Sequence, residues 1–107
     1  MTGNDGNGVR VVHVAEMRAR PGVRDEELIA ASQEAQDGFF AAHSGYAGRE
    51  LLKSAEGVWL DIMYWESEAD AAAARQAFRG HASTRRFGSL LDPTTFKMIE
   101  YRSIRKY

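Results

Sequence analysis

The spacing of apolar and polar positions changes along this chain, and each change marks an element. Residues 9–20, "VRVVHVAEMRAR", are rich in β-branched side chains and end at Pro21-Gly22, which predicts a first strand closed by a turn. "RDEELIAASQEAQDGFFAAH" then shifts to helical spacing. Leu28, Ser32, Ala35, Phe39 and Ala42 recur on one side, Ile29 and Phe40 widen the stripe, and acids fill the first turn, where the helix dipole favours them. "HSGYAG" stops this helix, and residues 46–54 form a second strand. Ala55, Glu56 and Gly57 are a short hairpin turn into a third strand, "VWLDIMYW", at residues 58–65.

Ser67 with Asp70 three residues later has the form of a capping box and opens an alanine-rich second helix. Breaks at Gly80 and Gly88 predict that the helical region is split, and "TFKMIEYRSIRKY" alternates as a fourth strand. The order β-α-β-β-α-β is the ferredoxin-like α+β arrangement, an antiparallel sheet with both helices on one face.

That order leaves one sheet face uncovered. In the third strand Trp59, Asp61, Met63 and Trp65 point one way, and Val58, Leu60, Ile62 and Tyr64 the other. Both rows are largely apolar, and two helices cover only one of them. A second copy of the chain is the simplest cover for the other, so the pattern predicts a homodimer joined through the sheet.

Composition narrows the picture without changing it. The chain has 107 residues, one domain's worth, with a formal net charge of −1 that calls for neither nucleic acid nor an acidic membrane surface. It has no cysteine, which excludes disulfides, thiolate metal sites and cysteine nucleophiles. No apolar run reaches the length of a membrane span, and the Gly/Asn-rich start, "MTGNDGNG", lacks the basic and apolar regions of a signal peptide. A disordered tail at residues 1–8, a folded domain at residues 9–107 and a cytoplasmic location are the expectations.

After these residues, "GYAGREL" in the second strand and "WES" where the third strand meets a helix N-cap resemble the antibiotic biosynthesis monooxygenase family. The resemblance runs over nearly the whole chain beyond the tail. It implies a dimeric α/β barrel of two ferredoxin-like sheets. Activities in that family include cofactor-independent oxygenases for anthrones and quinols, and heme-degrading enzymes. In the anthrone-type enzymes an asparagine precedes the strand-end tryptophan by four residues; here the tryptophan is Trp65 and the asparagine's place is taken by Asp61. The positions of the heme-degrading signature hold Ala15, Ala74 and Thr84, with His81 one helical turn before the expected iron ligand.

The candidate chemistry centres on Asp61, a carboxylate in an otherwise apolar strand. It is either a general base and substrate anchor or the buried partner of an arginine such as Arg49 or Arg18. His13 shares the parity of Ala15 and Met17 on the strand expected beside the third, which makes it a second candidate base or else a satisfied core histidine. Trp65, Trp59, Met63 and Phe39 are the candidate wall of an aromatic pocket, against the simpler reading that they fill the core. Arg75, Arg79, Arg85 and Arg86 make a basic segment that is either a solvated helix face or a hold for an acidic ligand at a pocket mouth. The three histidines lack the close spacing of a zinc site, and no metal is expected.

The resulting expectation is a cofactor-independent monooxygenase for a phenol-, quinol- or anthrone-like substrate, with Asp61 or His13 as base. A non-catalytic dimer that binds a small hydrophobic ligand and a heme-binding or heme-degrading protein are the alternatives.

Overall fold

A computed structural model describes residues 10–107. The disordered tail expected at residues 1–8 lies outside the described residues. Strand β1 (Val11–Met17) is followed by helix α1 (Asp25–Ala35), which continues into a π-helical turn over Gln36–Phe40. A hairpin of β2 (Tyr46–Lys53) and β3 (Trp59–Trp65) leads to α2 (Glu68–Phe78), α3 (Ala82–Ser89) and the last strand β4 (Lys97–Arg102). The strands form one four-stranded antiparallel sheet in the order β2-β3-β1-β4, the ferredoxin-like topology read from the sequence.

Alternation in the two central strands decides where the core sits. Val11, His13, Ala15 and Met17 of β1 and Trp59, Asp61, Met63 and Trp65 of β3 are all buried, while the residues between them are half-buried. The helices cover the first row, with Leu28, Ala31 and Ala35 of α1 and Ala71 and Ala74 of α2 packed into it. The opposite face presents Leu60, Ile62 and Tyr64 half-buried, with Leu52, Ile99 and Tyr101 exposed by 38%, 44% and 49%.

The local signals act as the chemistry demands. The Ser67 hydroxyl accepts the Asp70 N–H at 3.1 Å and caps α2. At the start of α1 the Glu27 carboxylate accepts the Arg24 N–H at 2.9 Å. Gly80, at φ +83°, turns the chain sharply between α2 and α3.

Several boundaries differ from the sequence reading. β1 ends at Met17 rather than running to residue 20, leaving only the isolated bridge Ala19–Leu91 beyond it. The expected single helix through residue 43 changes to a π turn at Gln36, which widens the spiral so that adjacent Phe39 and Phe40 are both buried, while Ile29 and Ala42 are exposed. The break expected at Gly88 falls slightly later: Gly88 is still helical and α3 ends at Ser89. The fourth strand stops at Arg102, and residues 103–107 are exposed.

Candidate functional site

Between the sheet and the helices lies a cavity of about 500 Å³. Ala15, Met17, Met63 and Met98 form its floor on the sheet, and Phe39, Phe40, Phe78 and Phe87 its aromatic wall. Asp61 and His13 both reach it, as does Trp65. Of the residues expected at the site, Asp61, His13, Trp65, Met63 and Phe39 are thus brought together. Trp59 is not: it is buried at the other end of β3, outside the cavity lining, with the Lys53 ammonium 5.3 Å from its ring centroid. The parity reading put it on the correct face but could not place it along the groove.

Asp61 sits in a closed ion pair. Arg49 Nε donates to Asp61 Oδ1 and Arg49 Nη2 to Oδ2, each at 2.9 Å, and both side chains are almost wholly buried. The guanidinium is further held by the Ser32 carbonyl at 3.1 Å and the Ser32 hydroxyl at 2.9 Å, and its carbon lies 4.3 Å from the Phe40 ring centroid. Ser32, which fell on the apolar stripe of α1, is there as an acceptor. Burial raises the pKa of the Asp61 carboxyl, against the hydrogen bonds and charge of Arg49, which lower it. The greasy strand tolerates a carboxylate because a two-bond partner stands on the neighbouring strand.

His13 is the centre of a second network. Its Nδ1 accepts the Trp65 Nε1–H at 3.1 Å, and its Nε2 lies 2.9 Å from Glu100 Oε1. Indole nitrogen only donates, so Nδ1 carries the lone pair. The hydrogen bond from His13 is the main influence holding the Glu100 carboxyl below its ordinary value, and Arg75 adds to it from 3.1 Å. An ionised Glu100 requires the proton on Nε2. Both ring nitrogens of His13 are therefore engaged, Nδ1 accepting from Trp65 and Nε2 donating to Glu100. Glu100 stands directly opposite His13 in the β1–β4 register. Sequence reading missed it, although strand alternation from Met98 puts it on the cavity side.

The other polar groups near the cavity are engaged or cationic. Thr84 Oγ1 donates to the Phe78 carbonyl at 2.6 Å, and His81 Nδ1 caps α3 by accepting the Ser83 N–H at 3.1 Å. In the lining, His13 has both ring nitrogens engaged and Ala15 and Ala74 carry no donor, while His81 lies outside the lining with its Nδ1 given to the α3 cap, so the cavity lining presents no ready heme-iron ligand. Among the described residues no group of three or more His, Asp or Glu could hold a metal ion. Arg75, Arg79 and Arg85 line the cavity from the α2–α3 side.

Comparison with known proteins agrees with this architecture. Residues 10–89 match the family model described as antibiotic biosynthesis monooxygenase. Among solved structures, a candidate antibiotic biosynthesis monooxygenase from Bordetella bronchiseptica superposes with a TM-score of 0.75 at 17% identity, covering 91% of this chain and 99% of its own. Rv0793 from Mycobacterium tuberculosis gives 0.67 at 17% identity, with 91% and 97% covered. An asparagine-to-alanine variant of SnoaB, a cofactor-independent oxygenase from Streptomyces nogalater, gives 0.62 at 14% identity, with 92% and 94% covered. At these identities the likeness is one of fold. No protein of curated function matches the chain.

Proposed function

Since the chain belongs to the antibiotic biosynthesis monooxygenase family, we propose that it is a cofactor-independent monooxygenase acting on a phenol-, quinol- or anthrone-like substrate. The observation that carries this reading is the aromatic-walled cavity of about 500 Å³ containing His13 backed by the Glu100 carboxylate. Its volume suits a ligand of several fused rings.

The chemistry asks little of the protein. An anthrone-like CH₂ or quinol OH is acidic because its anion is delocalised over the rings. A substrate group entering the cavity replaces the Trp65 N–H as partner of His13 Nδ1, which takes the proton. Glu100 then stabilises the imidazolium through Nε2, as a carboxylate steadies an imidazole base. The substrate anion passes one electron to dioxygen, and the radical pair combines into a C–O–O⁻ group. His13 returns its proton, giving a hydroperoxide. Loss of the remaining C–H proton with O–O cleavage releases water and leaves a carbonyl. The sum is R₂CH₂ + O₂ → R₂C=O + H₂O, and all the electrons come from the substrate. The Asp61–Arg49 pair holds the wall; its carboxylate oxygens are already spent on the guanidinium, so His13 takes the role of base.

One observation favours the binder alternative: in the resting site His13 Nδ1 and both Asp61 oxygens already have partners. Oxygen uptake over a panel of anthrones and hydroquinones, with labelled dioxygen traced into the product, separates the two. Label in a new carbonyl supports the oxygenase. Saturable ligand binding with no uptake above buffer supports the binder.

A further inference from the structure

The cavity is apolar on its floor and wall, yet arginines line one side of it. Arg75 is paired with Glu100 at 3.1 Å. Arg86 faces away, 3.9 Å from Glu34, and is not part of the lining. Arg79 and Arg85 do line the cavity, and among the described residues neither has a carboxylate within 4.0 Å. The one acid in the lining, Asp61, is neutralised by Arg49. The mouth between α2 and α3 therefore holds two uncompensated guanidinium groups beside a wall of phenylalanine rings.

We infer that the ligand carries a carboxylate that docks on Arg79 and Arg85 while its aromatic body fills the cavity. This rests on the aromatic-ligand reading above and adds the anionic anchor. A guanidinium presents a planar fork of N–H groups that matches a carboxylate edge. A phosphate would gather backbone N–H groups as well, and at the nearest helix start two of the first three are already taken. The Ser83 N–H is taken by His81 Nδ1 and the Thr84 N–H by the His81 carbonyl. The Thr84 hydroxyl is turned inward onto carbonyls. The charged donors at this rim are arginine side chains. An anchor there also orients the rings, so that the group to be oxidised points down towards His13.

The test is a fluorescence titration of the full chain with anthracene carboxylate and its neutral carboxamide, on wild type, Arg79→Gln/Arg85→Gln and Arg86→Gln. The wild type and Arg86→Gln are expected to bind the carboxylate about tenfold or more tighter than the carboxamide, a preference that shrinks as salt rises. The double variant is expected to lose the preference while holding the carboxamide as before. Equal affinity of the two probes for wild type, or a preference surviving in the double variant, overturns the inference and leaves these arginines as solvated surface. Failure of both probes to bind overturns it together with the aromatic-ligand reading. Normal binding of the probes with no oxygen uptake on the anthrone and hydroquinone panel removes only the oxygenase.

Discussion

At the scale of single residues, the centre of the molecule is organised by two fixed charge networks that share the cavity wall. Asp61 and Arg49 neutralise each other, so changing one strands the other. Asp61→Asn is expected to destabilise the fold by about 3–5 kcal/mol, because a buried guanidinium is left without its counter-charge. Arg49→Met/Asp61→Leu, which removes both charges, is expected to recover most of that loss in a denaturant melt. The His13–Glu100 contact has an acid limit. A carboxyl whose folded pKa is depressed contributes stability above its ordinary value of 4.5 and loses it as pH falls through the folded pKa. Melting temperatures followed from neutral pH to below that value should fall less steeply for Glu100→Gln than for wild type. The sequence alone made Asp61 conspicuous and offered Arg49 or Arg18 as its partner, and the sheet register selects Arg49. Nothing in the sequence hinted at which cross-strand neighbour His13 would meet, because strand register is a property of the assembled sheet.

At the scale of elements, the patterning was legible wherever a period ran unbroken. Both central strands, the Ser67 cap and the break at Gly80 follow directly from alternation, side-chain capping and backbone freedom. The π turn did not, since one inserted residue in a helix leaves no mark that differs from a slightly irregular stripe. That turn brings Gly38 against α3, where an added Cβ would stand 2.6 Å from Ser83 Cβ. Gly38→Ala is therefore expected to cost about 1–3 kcal/mol by overpacking, and Ser83→Gly in the same chain to restore much of it. If Gly38→Ala melted like wild type, α3 would not be seated as closely as the structure has it. Trp59 illustrates another limit of patterning. Periodicity assigns a face, whereas the cavity's position along that face depends on where α2, α3 and the π turn come to rest.

For the whole molecule, the outer face of the sheet dictates the expected assembly. Leu52, Ile99 and Tyr101 stand exposed beside half-buried Leu60, Ile62 and Tyr64, a largely apolar surface interrupted by Glu16, Glu50 and Lys97 that the helices cannot reach. A second copy of the chain, sheet against sheet, is the proposed cover. Light scattering at micromolar concentration should give a dimer, and Ile99→Glu should shift it to monomer by placing a charge in that layer. A wild-type monomer at the same concentration would remove the barrel-dimer reading. The cavity itself lies on the opposite side of the sheet, enclosed by one chain's own helices.

Substrate oxidation turns on His13 as the proton acceptor. Its most direct test is the rate of oxygen consumption with an anthrone, compared between wild type and His13→Asn at equal folded concentration. Wild type is predicted to exceed the uncatalysed rate clearly, and His13→Asn to fall by about 10²-fold or more, the usual worth of a positioned base. Equal rates in the two proteins, or a wild-type rate no greater than that of buffer, would contradict it.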